Sequence, residues 1–151
     1  MKTHLIALAA LTLAATAHAQ QAPKPEQLIK WRQSAYQTIA WSTGRVKANV
    51  DGTYNKDDAA RAAAVIAALA NSNLVTLFPA GTETGKGWRD TTVKANLFTD
   101  SAGANAAWAA FAKEANELAR AMQGNDVAAV KAQLAALQKT CKACHDDYRN
   151  N

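Results

Sequence analysis

Apolar side chains recur at steps of three and four along four separate stretches of this chain. In the first stretch the positions are Leu28, Arg32, Ala35 with Tyr36, Ile39, Thr43, Val46 and Val50. That spacing keeps returning to one face of a helix. Pro25 suits a first helical position, Glu26 suits the positive helix start, and Asp51-Gly52 ends the run. Arg32 is the anomaly, a charge among core positions. A second helix is predicted from 56 to 73 or 75, with Asn55 as its N-cap and Ala62, Val65, Ile66 and Leu69 turned inward. Phe78-Pro79-Ala80-Gly81 then breaks the pattern. Residues 82–94 read as a polar, glycine-rich loop carrying Trp88, with Asn96-Leu97-Phe98 as its last buried anchor. A third helix is predicted over 101–123, its stripe being Ala104, Trp108, Phe111, Ala115, Leu118 and Met122. Gly124-Asn125-Asp126 stops it and caps a fourth. There Val127, Val130, Leu134, Leu137, Cys141, Cys144 with His145, and Tyr148 continue the spacing.

Two short connections and one long one let successive helices run antiparallel. The predicted fold is therefore all-α, an up-down-up-down four-helix bundle over residues 20–151. Composition agrees: 49% of the 151 residues are hydrophobic, only three are proline and seven glycine, and strand-favouring runs are missing.

Residues 1–19 stand apart from that domain. Lys2, an apolar run over 5–17 and Ala17-His18-Ala19 together make a cleavable secretory signal peptide. The run is too short to span a bilayer, although an uncleaved anchor is the alternative. Cleavage would leave a mature start at Gln20 or Gln21 and no membrane span. It also removes Lys2 and lowers the formal charge from +5 to +4. That surplus is scattered, which argues against a nucleic-acid partner.

The chain closes on Cys141-Lys142-Ala143-Cys144-His145, which holds both cysteines and the only histidine outside the signal peptide. On a helix the thiols lie near one face, and His145 follows Cys141 by one turn. Cys-x-x-Cys-His is the attachment signature of c-type haem. Two thiols three apart can add to the two vinyl groups on one porphyrin edge, and the next residue then brings an imidazole to the iron. A disulfide would be strained inside a helix and leaves His145 unexplained. A thioredoxin-type motif follows a strand, and zinc usually takes four ligands where three are offered. One covalently bound haem c is expected, with Cys141 and Cys144 as thioether positions and His145 as axial iron ligand. Such haem is attached outside the bacterial inner membrane, so the expected location is the periplasm.

The iron's second axial ligand decides function. Met122 is the only methionine left, and it belongs at the start of the last helix. His145 lies roughly 28 Å further along, at about 1.5 Å per residue. No side chain of the usual kinds can then close the sixth position. The antiparallel order places Leu28, Arg32 and Tyr36, then Leu69, Leu74 and Phe78, then Phe98 and Trp108 around the haem. Arg32 either pairs with a haem propionate or lays its stem over the core edge with its head in water. Arg149, one turn past His145, either lies against the proximal imidazole or is a solvated charge favourable to the helix dipole. Tyr36 is a distal lid, a core aromatic or, in the catalase manner, an iron ligand.

The whole mature chain resembles the cytochrome c′ family of four-helix c-type cytochromes. The resemblance rests on Lys24-Pro25-Glu26, Trp31-Arg32-Gln33-Ser34-Ala35, Phe78-Pro79, Gly81-Thr82 and the closing Cys141-Lys142-Ala143-Cys144-His145-Asp146-x-Tyr148-Arg149. It implies a high-spin, five-coordinate haem, often in a homodimer, that binds nitric oxide and carbon monoxide. It implies that Arg32 is the propionate-pairing arginine, that Arg149 lies on the proximal side, and that Tyr36 covers the distal face. Tyr36 stands where an aliphatic residue is common.

The reading is a periplasmic gas-binding haem protein that buffers or scavenges nitric oxide, with an unidentified redox partner. A low-spin electron carrier is the alternative, but the helix-1 methionine ligand it would need is missing. An enzyme is not expected, because a peroxidase would place a distal histidine or arginine. Trp31 and Trp41 lie off the first core stripe and suggest a homodimer.

Overall fold

The computed structural model describes residues 22–150, so the signal-peptide expectation for 1–19 lies outside the described residues. Four helices follow in order: α1 (Pro25–Asp51), α2 (Lys56–Ala70), α3 (Ser101–Ala121) and α4 (Val127–Tyr148). No described helix is long and apolar enough to cross a membrane.

Local chemistry fixes most helix ends. Asn55, Asp100 and Asp126 each accept a backbone N–H from the first turn of α2, α3 and α4, at 2.9–3.0 Å. Each such cap stabilises its helix by about 1 kcal/mol. α1 begins with Pro25 in its first turn. α2 ends at Ala70, before the predicted 73 or 75. The Asn71 side chain donates to the Ala67 carbonyl, and Asn73 sits in the left-handed region at φ 57°. A 3-10 turn, Leu74–Leu77, follows.

The core joins one stripe from each helix. Val46 and Val50 of α1 meet Ala59, Ala62, Ala63 and Ile66 of α2, Ala115 and Leu118 of α3, and Val130, Leu134 and Leu137 of α4. The alanines of α2 let its neighbours approach closely. Met122 is buried with Tyr54 4.0 Å from its sulfur, at the end where α4 begins. α1 packs mainly on α2 and α3 mainly on α4, while α1 and α4 touch little. The bundle is therefore open between α1 and α4.

One loop crosses that open side. Gly87 lies so close to α1 that a Cβ there would come within 2.8 Å of the Lys30 nitrogen. The loop thereby covers Ile29, which is fully buried, and Leu28 is left only half-buried. The expected anchor at Asn96-Leu97-Phe98 is a 3-10 turn, Ala95–Phe98, with no buried residue.

Candidate cofactor site

The opening between α1 and α4 is a cavity of about 830 Å³ lined by α1, the long loop, α3 and α4. Its size suits an organic cofactor. Cys141, Cys144 and His145 line it from α4, at the spacing the sequence predicts. Both cysteines are free and half-buried, and burial raises their thiol pKa above the usual value. Burial lowers that of His145, and the Arg149 charge adds to the effect. A neutral imidazole with a lone pair for a metal is thereby favoured at neutral pH. Two thiols and one imidazole facing one large cavity fit a covalently held haem.

The end of α4 is held firmly. A helix leaves its last carbonyls without partners. Here the Arg149 N–H donates to the His145 carbonyl at 3.1 Å, and Lys94 Nζ donates to that of Asp146 at 2.7 Å. Asn96 Nδ2 donates to the Asp147 carbonyl at 3.1 Å and the Lys94 N–H to that of Tyr148 at 2.9 Å. The Asn150 N–H donates to the Thr92 carbonyl at 2.7 Å. The Tyr148 hydroxyl donates to Asp100 at 2.6 Å, and Gly103 leaves it room, since any side chain there would strike both groups.

Arg32 holds the other side of the loop. It is 3% exposed. Nη1 donates to Thr82 Oγ1 at 2.9 Å and to the Leu77 carbonyl at 3.4 Å. Nη2 donates to the Thr82 carbonyl and to Thr91 Oγ1, both at 2.7 Å. The guanidinium lies 4.6 Å from the centre of the Phe78 ring. The head therefore does not reach water, which corrects the solvated alternative. Arg32 lines the cavity, but both terminal nitrogens already have loop acceptors.

Tyr36 also lines the cavity, one turn after Arg32. Its ring meets the Phe78 and Trp108 rings edge-on at 6.2 and 6.3 Å. Burial, reinforced by the nearby Cys144, raises its pKa well above the ordinary value. Among the described residues its hydroxyl has no hydrogen-bond partner.

Phe78, Trp108 and Arg149 also line the cavity, and Leu28 does not. Its side chain falls one position off the face that the loop covers at Ile29. The cavity takes Val75 rather than Leu74, which is drawn into the core, and Leu97 rather than Phe98. Ile39 and Phe111 complete the wall. Both belong to stripes visible in the sequence, whereas Lys47, Arg89 and Gln138 at the margin carry no such signal.

A family model described as cytochrome c′ matches residues 27–149. A cytochrome c′ from Rhodocyclus tenuis is 58% identical over 83% of this chain and 96% of its own length. The solved structure of a cytochrome c′ with an unusual ligand-controlled dimer dissociation superposes at TM-score 0.84 and 34% identity, covering 87% of this chain and all of that one. The nitric oxide complex of a leucine-to-isoleucine variant of the cytochrome c prime from Alcaligenes xylosoxidans superposes at TM-score 0.75 and 28% identity, covering 85% of this chain and 98% of that one.

Proposed function

The chain belongs to the cytochrome c′ family and is a c-type haem protein; from that premise we propose that it binds small gases, nitric oxide and carbon monoxide, at a five-coordinate iron. One observation carries this reading. Among the described residues the cavity is lined by no methionine, and by no cysteine or histidine beyond Cys141, Cys144 and His145. When bound, the haem supplies a redox-active iron able to take a small ligand.

The chain's own residues prepare that position. Cys141 and Cys144 would hold the haem through thioethers, and His145 would offer a neutral imidazole from a helix end that hydrogen bonds tie to the loop. Arg149 sits beside that imidazole and disfavours its protonation. Phe78, Trp108, Phe111 and Ile39 keep the opposite wall apolar, so water is poorly held there and a neutral gas is not penalised. Tyr36 is held neutral by burial and so is a poor phenolate ligand. Arg32 places a positive charge at the wall. Its Nε–H, which donates to no described residue, is the donor left for a propionate.

The wider setting is proposed on the same footing. Residues 1–19 direct export and are cleaved, leaving the mature protein in the periplasm with a redox partner of its own. Nitric oxide buffering draws support from the nitric oxide complex of the Alcaligenes xylosoxidans relative. Trp31 and Trp41 are 49% and 60% exposed on the outer side of α1 and form the core of a homodimer contact. A structural relative is a dimer that dissociates under ligand control, which supports dimerisation, and sedimentation at twice the monomer mass is the expected result.

The test is the absorption spectrum of the reduced holoprotein before and after carbon monoxide. A broad Soret band that sharpens with the gas is expected. A sharp band indifferent to it would mean a strong sixth ligand and a simple electron carrier.

A further inference from the structure

Tyr36 carries the hydroxyl of the aromatic group that walls the cavity, and that hydroxyl is unmatched. Phe78 and Trp108 both meet its ring edge-on and so restrict its rotation. A phenol set among rings ordinarily finds a hydrogen-bond partner. None of the described residues provides one. Arg32, one turn earlier on α1, is a donor only and cannot accept. The Cys141 and Cys144 thiols, which also face the cavity, are the haem attachment points in the function proposed above. The hydroxyl is therefore free to donate to whatever occupies the cavity it lines, water or ligand.

We infer that the Tyr36 hydroxyl donates a hydrogen bond to a small ligand held on the iron side that His145 leaves open. This rests on the five-coordinate reading and deepens it. A fixed donor favours ligands whose outer atom gains negative charge on binding, and so grades gases by polarity as well as by size. Burial keeps the phenol protonated, so the donor is present throughout the physiological range. Tyr36 is thereby a specificity residue and more than a lid.

The experiment compares wild-type holoprotein with Tyr36→Phe and Tyr36→Leu. Infrared spectroscopy of the carbon monoxide adduct reads the C–O stretch, and stopped flow reads dissociation of carbon monoxide and nitric oxide. Tyr36→Phe keeps the ring contacts and removes only the hydroxyl. It should raise the stretching frequency and speed dissociation by about 2- to 10-fold, the effect of losing one neutral hydrogen bond. Identical stretch and rates in wild type and Tyr36→Phe, with a change only in Tyr36→Leu, would reduce Tyr36 to a steric lid. Failure of wild type and both variants to bind carbon monoxide would instead overturn the open-iron reading itself.

Discussion

Replacing Arg32 by leucine removes the donors to Leu77, Thr82 and Thr91 and strands those acceptors inside the cavity wall. Leaving one buried acceptor unmet costs about 1–3 kcal/mol. Arg32→Leu should therefore lower the denaturant midpoint with little change in slope. Arg32→Lys should not rescue it, because one ammonium cannot serve acceptors on both sides of a planar fork. An unchanged midpoint would show that the loop holds without this residue. The anomalous charge on the α1 stripe thus belongs to the wall, where three of its bonds join α1 to the loop and one joins it to the 3-10 turn.

The loop and the end of α4 act together at the scale of elements, and Asp100 is where α3 joins them. Its carboxyl accepts from the Tyr148 hydroxyl and the Gly103 N–H, and these bonds hold its pKa below the ordinary range. A depressed folded-state value stabilises the fold above the unfolded pKa, near 3.9 for aspartate, and that stability is lost as pH falls through the lower folded value. Asp100→Asn should melt below wild type at neutral pH, and the gap in melting temperature should narrow as pH drops below about 4. A gap independent of pH would contradict the role given to this carboxylate. The four helices and the Cys141, Cys144 and His145 motif were legible in sequence because periodicity, caps and local spacing are short-range signals. The loop's path was not. Arg32 reaches Leu77, Thr82 and Thr91, which lie 45 to 59 residues away in sequence. Leu28 and Ile29 are adjacent apolar residues of which the stripe selects Leu28, and the close approach of Gly87 buries Ile29 instead. The early end of α2 depends on the left-handed Asn73, which the apolar pattern running through Val75 concealed.

For the whole molecule, the bundle separates two jobs by its two ends. Tyr54 and Met122 close one end, and the far end opens between α1 and α4 into the cavity. The sole methionine among the described residues is thereby kept away from His145, and on the proposed reading the position opposite His145 is left to a visiting ligand. Resonance Raman spectroscopy of the reduced holoprotein tests that claim most directly, because its porphyrin marker bands report spin and coordination together. The predicted result is a five-coordinate, high-spin iron with a histidine–iron stretch that disappears in His145→Ala. A six-coordinate, low-spin spectrum in the ligand-free protein would contradict the account.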